Sequence, residues 1–514
     1  MKHYLIVVIA FLLSLIVAGQ TDSQPVRIEL ESKPNTEPFM LVPMAGHGLL
    51  LSLKTNEFED RNSRIWGFGH YDTIFGLQWE FTVPLLRYQE YAASFHNEQQ
   101  VSLMFYDSRA SAESNLQILT INTASKQYHL VDGNIDKRFE PYRFTRQGNH
   151  CYVGVNSKNA CKVYRIDIKS GDSIELELNS EGGNFIENIN VNDKTQEIIV
   201  ITSSRNERRR NALCLHRFNS EGNEQSFTQL IKNDSRKMIT SAEYVPLNEG
   251  SYMVLGSFTS QPQRRASGVT DAEGSRSTGF YNVLVGLDGN NPQVQFHNFS
   301  DLTNLENYIR GTIAERRQRS LRRWFQRSQA ASFEHYLVMH EVLKANDAFL
   351  LAGEAFTPDF RTVTTIAYDY YGRPVPRSYS VFDGYRYSHG VVVAFDSQGQ
   401  LKWDNGIEMI NIRTFDLFPR LVLHNDVDGL ALAYNHEGKI AWKLLQEDTT
   451  ITNISYANIE TSYSKDRVNS EQSSRLIKWY GNYFLASGYQ TITNNYLPSQ
   501  NKRNVFYVNK IAFD

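Results

Sequence analysis

The chain has 514 residues, with 53 Lys+Arg against 56 Asp+Glu and a formal net charge of −3. That near-neutral total excludes wholesale nucleic-acid binding, and the 41% hydrophobic and 21% charged fractions are those of a globular chain. With 28 Tyr and 29 Phe the composition favours strands, and three cysteines are too few for a disulfide scaffold.

The chain opens MKHYLIVVIAFLLSLIVAG. Lys2 and His3 precede an apolar run from Tyr4 to Val17, closed by Ala18 and Gly19. This predicts a signal peptide over residues 1–19, cleaved before Gln20, and a secreted or periplasmic (cell-envelope) protein. A single-span anchor is the alternative. No cysteine follows the run, which argues against a lipid anchor, and no later stretch is apolar for long enough to span a bilayer.

Val26–Glu31 (VRIELE) alternates apolar and polar residues, as a half-buried strand requires. After it a two-strand unit recurs. An apolar strand runs into Gly and small or hydroxylated residues (YMVLGSFT, FLLAGEAFT, FLASGYQT), and a second strand follows after a variable loop. The second strand ends in Asp or Asn with Gly a few residues on, at Asp167, Asn219, Asp288, Asp396 and Asn435. Those pairs tolerate tight-turn backbone and lead into a further strand. First strands fall near residues 39, 89, 141, 184, 237, 333, 412 and 472.

Four antiparallel strands per unit, repeated, predict an all-β fold. Residues 20–514 then form a single eight-bladed β-propeller domain, or a seven-bladed one if a unit has been split. The last unit supplies three strands, so Val26–Glu31 is expected to complete it and close the ring.

Within this array Cys151 and Cys161 flank the turn signal NSKN, and a disulfide between them is a candidate if the hairpin register sets them opposite each other. Cys214 reads as a buried thiol.

At AFDSQGQLKW (Ala394–Trp403) the sequence resembles the tryptophan-docking repeat of quinoprotein-type propellers, and NHEGKIAW (Asn435–Trp442) is a weaker echo. The resemblance implies an eight-bladed propeller. The match departs from the pattern by one residue missing between Asp396 and Gly399, and most units lack the Trp. The chain as a whole also resembles secreted bacterial propellers that have no assigned activity. The family's quinone-binding and calcium-binding residues have no counterparts, so no cofactor is expected.

No metal is expected either. His47 and His70 lack partners at ligand spacing, His335 and His340 fall on opposite faces of a strand, and NDVDG (425–429) lacks the ligand series of a calcium loop. There is no GxSxG elbow, P-loop or Asp box. Glu354 is the one carboxylate at a suggestive strand position; it has no visible pair, and a structural role is favoured.

The stretch that does not fit is RGTIAERRQRSLRRWFQRSQ (310–329), with seven arginines and one acid. It predicts a basic helical insertion over 300–332 between blades five and six. Ile309, Ile313, Leu321 and Trp324 or Phe325 would pack inward and Arg316, Arg319, Arg322 and Arg323 outward. Arg208 and Arg209, Arg264 and Arg265, and the Tyr-rich segment 357–388 with Tyr370, Tyr371, Tyr385 and Tyr387 fall in second-to-third-strand connections on the same face.

Arginine forks recognise carboxylate and phosphate in pairs. The sequence therefore points to a non-enzymatic propeller whose insertion face binds an anionic protein segment, an envelope polymer or a lipid head group, with peripheral membrane contact as a further mode. The alternative is a carbohydrate-active enzyme, a glycoside hydrolase or lyase, with acids at the propeller axis.

Overall fold

The computed structural model describes residues 26–33, 38–107, 109, 115–179, 183–192, 195–204, 212–232, 237–247, 251–260, 276–286, 291–305, 334–426, 429–497 and 501–512. Alternating apolar residues fold these segments into eight antiparallel sheets, each built on four consecutively paired strands. This is the arrangement of an eight-bladed propeller.

The first strands of sheets one to four are Phe39–Pro43, Glu90–His96, Glu140–Gln147 and Phe185–Asn192. In sheets five and six the first strand is broken in two, as Met238–Ile239 with Glu243–Pro246 and as Tyr336–Met339 with Leu343–Ala345. Sheets seven and eight start with Val422–Asp426 and Arg467–Lys478. The expected start near 412 is corrected, because Arg413–Thr414 pairs with Tyr385 and Arg386 of sheet six instead. Asn435 is also reassigned: its turn joins the second strand of sheet seven to the third, so Trp442 and Trp403 do not occupy equivalent strands.

The strand Arg27–Glu31 pairs with Lys502–Ala512, register Arg27↔Asn509 to Glu31↔Val505, and completes sheet eight. The core is divided into eight apolar clusters, each shared by two successive sheets. The cluster that joins the last sheet to the first buries Ile28, Leu30, Leu49, Leu51, Trp479 and Phe506. Trp479 Nε1 also donates to the Gly48 carbonyl at 2.8 Å. Burying Ile28 and Leu30 stabilises that seam by about 1.5–3 kcal/mol each.

Among the described residues the helical segments are short 3-10 turns such as Phe299–Asp301, and α-helical backbone is confined to Leu305. Of the helix expected over 300–332, residues 306–332 lie outside the described residues. The cysteine expectation is overturned by register. Asn156 faces Cys161 while Cys151 faces Ile166, so the two thiols sit at opposite ends of the hairpin and both are free.

The segment 357–388 is not a loop. Strands Ala348–Tyr368 and Pro374–Phe395 continue past the sheet as one antiparallel ribbon, paired as far as Tyr368↔Pro374. Asp369 Oδ1 accepts from the amides of Tyr371 (2.9 Å) and Arg373 (2.8 Å), and Gly372 takes the left-handed backbone (φ 74°) that the turn needs.

Candidate functional site

Two regions concentrate chemistry. The first is the ribbon of sheet six. Its base is clamped by charge: Asp359 accepts from Arg386 (2.5 Å) and Arg413 (2.6 Å), and Asp383 accepts from Arg413 (2.7 Å). Partial burial pushes the Asp359 carboxyl up, yet Arg386 and Arg413 outweigh it and hold it below the usual range. Phe382 packs edge-on against Phe360 and Tyr385 beside this clamp.

Beyond the base the ribbon has no core to cover. Ile366, Tyr368, Tyr370 and Tyr371 are 67%, 71%, 97% and 79% exposed, and Arg361, Arg373 and Arg377 are exposed with them. Exposed aromatic and arginine side chains together are the composition of contact surfaces.

The sequence-derived contact residues divide here. Tyr370 and Tyr371 stand at the ribbon tip. Tyr385 and Tyr387 do not belong to the surface, since both are buried in the core cluster of sheets six and seven, with the Tyr387 hydroxyl donating to Phe418 O at 2.9 Å. The strand period turned them inward. Arg208, Arg209, Arg264, Arg265, Arg316, Arg319, Arg322 and Arg323 lie outside the described residues. The strands that flank them are the second-to-third connections of sheets four and five and the link from sheet five to sheet six.

The second region was not anticipated. The first strands of sheets two, three and four each carry a register shift at the same level, at Tyr91/Ala93, Pro141/Arg143 and Ile186/Asn188. Bulges re-aim side chains, and here they deliver Tyr91, Arg143 and Asn188. The break in sheet five ends at Glu243, and the break in sheet six contains Glu341.

Arg143 Nε donates to the Glu187 carbonyl at 2.9 Å, and its guanidinium lies 4.4 Å from the Tyr142 ring centre. The same guanidinium passes sheet four to stand 3.9 Å from Glu243 Oε1 of sheet five. Asn188 Nδ2 donates to Glu243 Oε2 at 2.6 Å, and Ser203 Oγ donates to the buried Glu187 at 2.5 Å. Burial pushes the Glu243 carboxyl up to about 7; Arg143 opposes the shift, and Glu341 and Glu187 add to it.

Sheets seven and eight supply positive charge. Arg420 and Arg475 both approach Phe418, at 4.5 and 4.0 Å, and burial lowers both guanidinium pKa values. Glu354 is tied into the fold through one carboxylate oxygen, while Oε2 has no hydrogen-bond partner among the described residues. It is fully buried, and one oxygen accepts from His340 Nε2 and from the backbone amides of Arg420 and Leu421, each at 2.7 Å, which fixes the entry to sheet seven.

The histidines are also held by the fold. His70 Nε2 lies 2.9 Å from His47 O, and the ring packs tilted against Trp79. The His335 ring packs edge-on against that of His389. Asp426 and Gly429 face each other in a strand turn.

The only sequence signal for this group was a charged or amide residue inside each short first strand, as in EPYRF, FIENIN, SAEYV and SSRLI. Their convergence depends on the arrangement of five sheets.

No protein-family model and no curated protein matches the chain. Solved structures similar to it include the polysaccharide lyase Uly1 (8% identity, 82% of this chain and 90% of that chain, TM-score 0.39). The dihydro-heme d1 dehydrogenase NirN (10%, 94% and 78%, 0.40) and the Dos1 propeller (10%, 80% and 89%, 0.39) are similar to a comparable degree. One of these is named as a propeller and the other two as enzymes. The strand pairing, not these distant likenesses, carries the description of the fold.

Proposed function

We propose that the protein is a closed eight-bladed propeller acting outside the cytoplasm as a binding scaffold. Its contact surface is the ribbon of sheet six, together with the arginine-rich segments of sheets four to six, and its partner is anionic. One observation carries this reading: residues 360–382 form a ribbon that leaves the sheet and exposes Ile366, Tyr368, Tyr370, Tyr371, Arg373 and Arg377, none of which a propeller core requires. The ion-paired base of the ribbon holds those side chains on a defined support, so little ordering entropy is lost on contact. Tyrosine and arginine are also the side chains that dominate contact energies elsewhere.

The test is capture of envelope material by the mature protein and by two variants, at low and high salt. One variant is Y370S/Y371S/R373S/R377S, and the other is R316S/R319S/R322S/R323S. Each should retain at least about ten-fold less material, the equivalent of 1.4 kcal/mol or more. Retention by the wild type should fall as salt screens the arginines. Equal retention by both variants and the wild type would refute the assignment.

A further inference from the structure

We propose that the axial group of Arg143, Asn188 and Glu243, with the Tyr142 ring beside it, is a separate binding site for a neutral, hydroxyl-rich ligand, a glycan unit.

Donors and acceptors in this group do not balance. Asn188 is 7% exposed and its Nδ2 is engaged by Glu243, but its Oδ1 has no hydrogen-bond partner among the described residues. A buried acceptor left unmatched is costly and calls for a donor. Glu341, exposed beside it, adds further acceptor oxygens. Arg143 is the donor of the group, and its side chain is 34% exposed. Sugar hydroxyls donate and accept at once, so a vicinal pair can accept from Arg143 while donating to Asn188 Oδ1 or a carboxylate.

Tyr142 and Tyr91, each 38% exposed on neighbouring inner strands, offer ring faces of the kind that the C–H side of a pyranose covers. Farther along the same two strands Ser94, Phe95, His96, Thr145 and Arg146 line a cavity of about 500 Å3, which does not include the residues of this group.

Other ligand classes fit less well. Among the described residues no three carboxylate, histidine or cysteine side chains converge as metal ligands would. Beside Asn188 three carboxylates, Glu187, Glu243 and Glu341, face Arg143, while Arg420 and Arg475 lie toward Phe418, which disfavours an anion at this end of the region. A cationic ligand would compete with Arg143 for a carboxyl that is half protonated near neutral pH. That carboxyl can give or take a hydrogen bond, as a hydroxyl ligand requires.

The experiment is saturation-transfer NMR on the mature protein with cellohexaose, maltohexaose and chitohexaose, each probed separately. At least one should receive transfer from the wild type. The signal should fall about ten-fold in R143A and in N188A, the size of one lost hydrogen bond, with melting temperatures confirming that both variants fold. E243Q should bind with a flat profile between pH 6 and 8, where the wild type varies. The ribbon variant should bind as the wild type does, which separates this site from the one proposed above. Absence of transfer to all three sugars, or transfer undiminished in R143A and N188A, overturns the assignment.

Discussion

Arginines inside sheet eight and arginines on the ribbon of sheet six are put to opposite uses. Where the early strand Arg27–Glu31 completes sheet eight, Arg27 is engaged inside the protein: it donates to Glu29 at 2.8 Å, Asn509 Oδ1 at 2.7 Å and Gln490 Oε1 at 2.8 Å, and its guanidinium lies over the Tyr507 ring. Arg503 reaches Glu29 at 3.0 Å and pairs with Asp466. On the ribbon Arg373 and Arg377 are exposed, and Arg373 lies 5.8 Å from the ring centre of the equally exposed Tyr371. Arg143, partly exposed beside Glu243, stands between these extremes. The difference shows that burial and the matching of partners, rather than residue type, separate an arginine that holds the fold from one left free to recognise something else.

The sharpest way to break the comparison is to remove the buried arginine of sheet eight. The Arg27 side chain is 3% exposed, so Arg27→Ala should cost about 3–5 kcal/mol, because Glu29 is then left buried and underpaired. The midpoint of urea unfolding should fall accordingly, and an unchanged midpoint would show that this ion-pair group does not limit stability. Acid should act on the same place. Burial raises the Glu29 carboxyl, but Arg27 and Arg503 prevail and hold it below its ordinary value. Its stabilisation is therefore full above the ordinary glutamate range and is lost as pH falls below it, a loss that E29Q should not show.

Next in size is Glu243. Its folded pKa is raised to about 7, so its contribution is complete below the unfolded value of about 4.3 and declines as pH rises toward 7. Wild-type stability should drop by about 3 kcal/mol more than that of E243Q between pH 4 and pH 8, measured by chemical unfolding at each pH. Parallel profiles would mean that Glu243 is already ionised in the folded state.

The ribbon should respond less. Y370S/Y371S should move stability by less than about 0.5 kcal/mol while weakening partner capture. Smaller still, a reducing agent should leave the melting temperature of the protein unchanged, because Cys151 and Cys161 face different partners in the hairpin.

Much of the array was legible because alternation, turn residues and repetition are local. Seven of the eight first strands lie close to where the repeat put them, and VRIELE was matched to the last unit on its alternation and on the strand that unit lacked. The ribbon was misread for a physical reason. RTVTTIAY and VPRSYSVF are β-branched segments flanking the turn signal DYYGR, but with no buried face they lack the apolar alternation that marks a strand. Cys151 and Cys161 were misjudged because flanking a turn says nothing of register, which here sets Cys161 five residues from the partner of Cys151.

What the sequence determined by itself is the unit: an apolar strand, a variable connection, a second strand, a tight turn, repeated until the early VRIELE segment is needed to finish the last sheet. Only the tertiary structure decided which polar residues meet. Arg143, Asn188 and Glu243 come from three sheets and are re-aimed by bulges and a strand break, and Arg27 meets Gln490 across more than four hundred residues of chain. Pairing within a strand or hairpin is governed by a few neighbouring residues, whereas convergence at the axis depends on the position of every sheet between, and no short stretch of sequence encodes that.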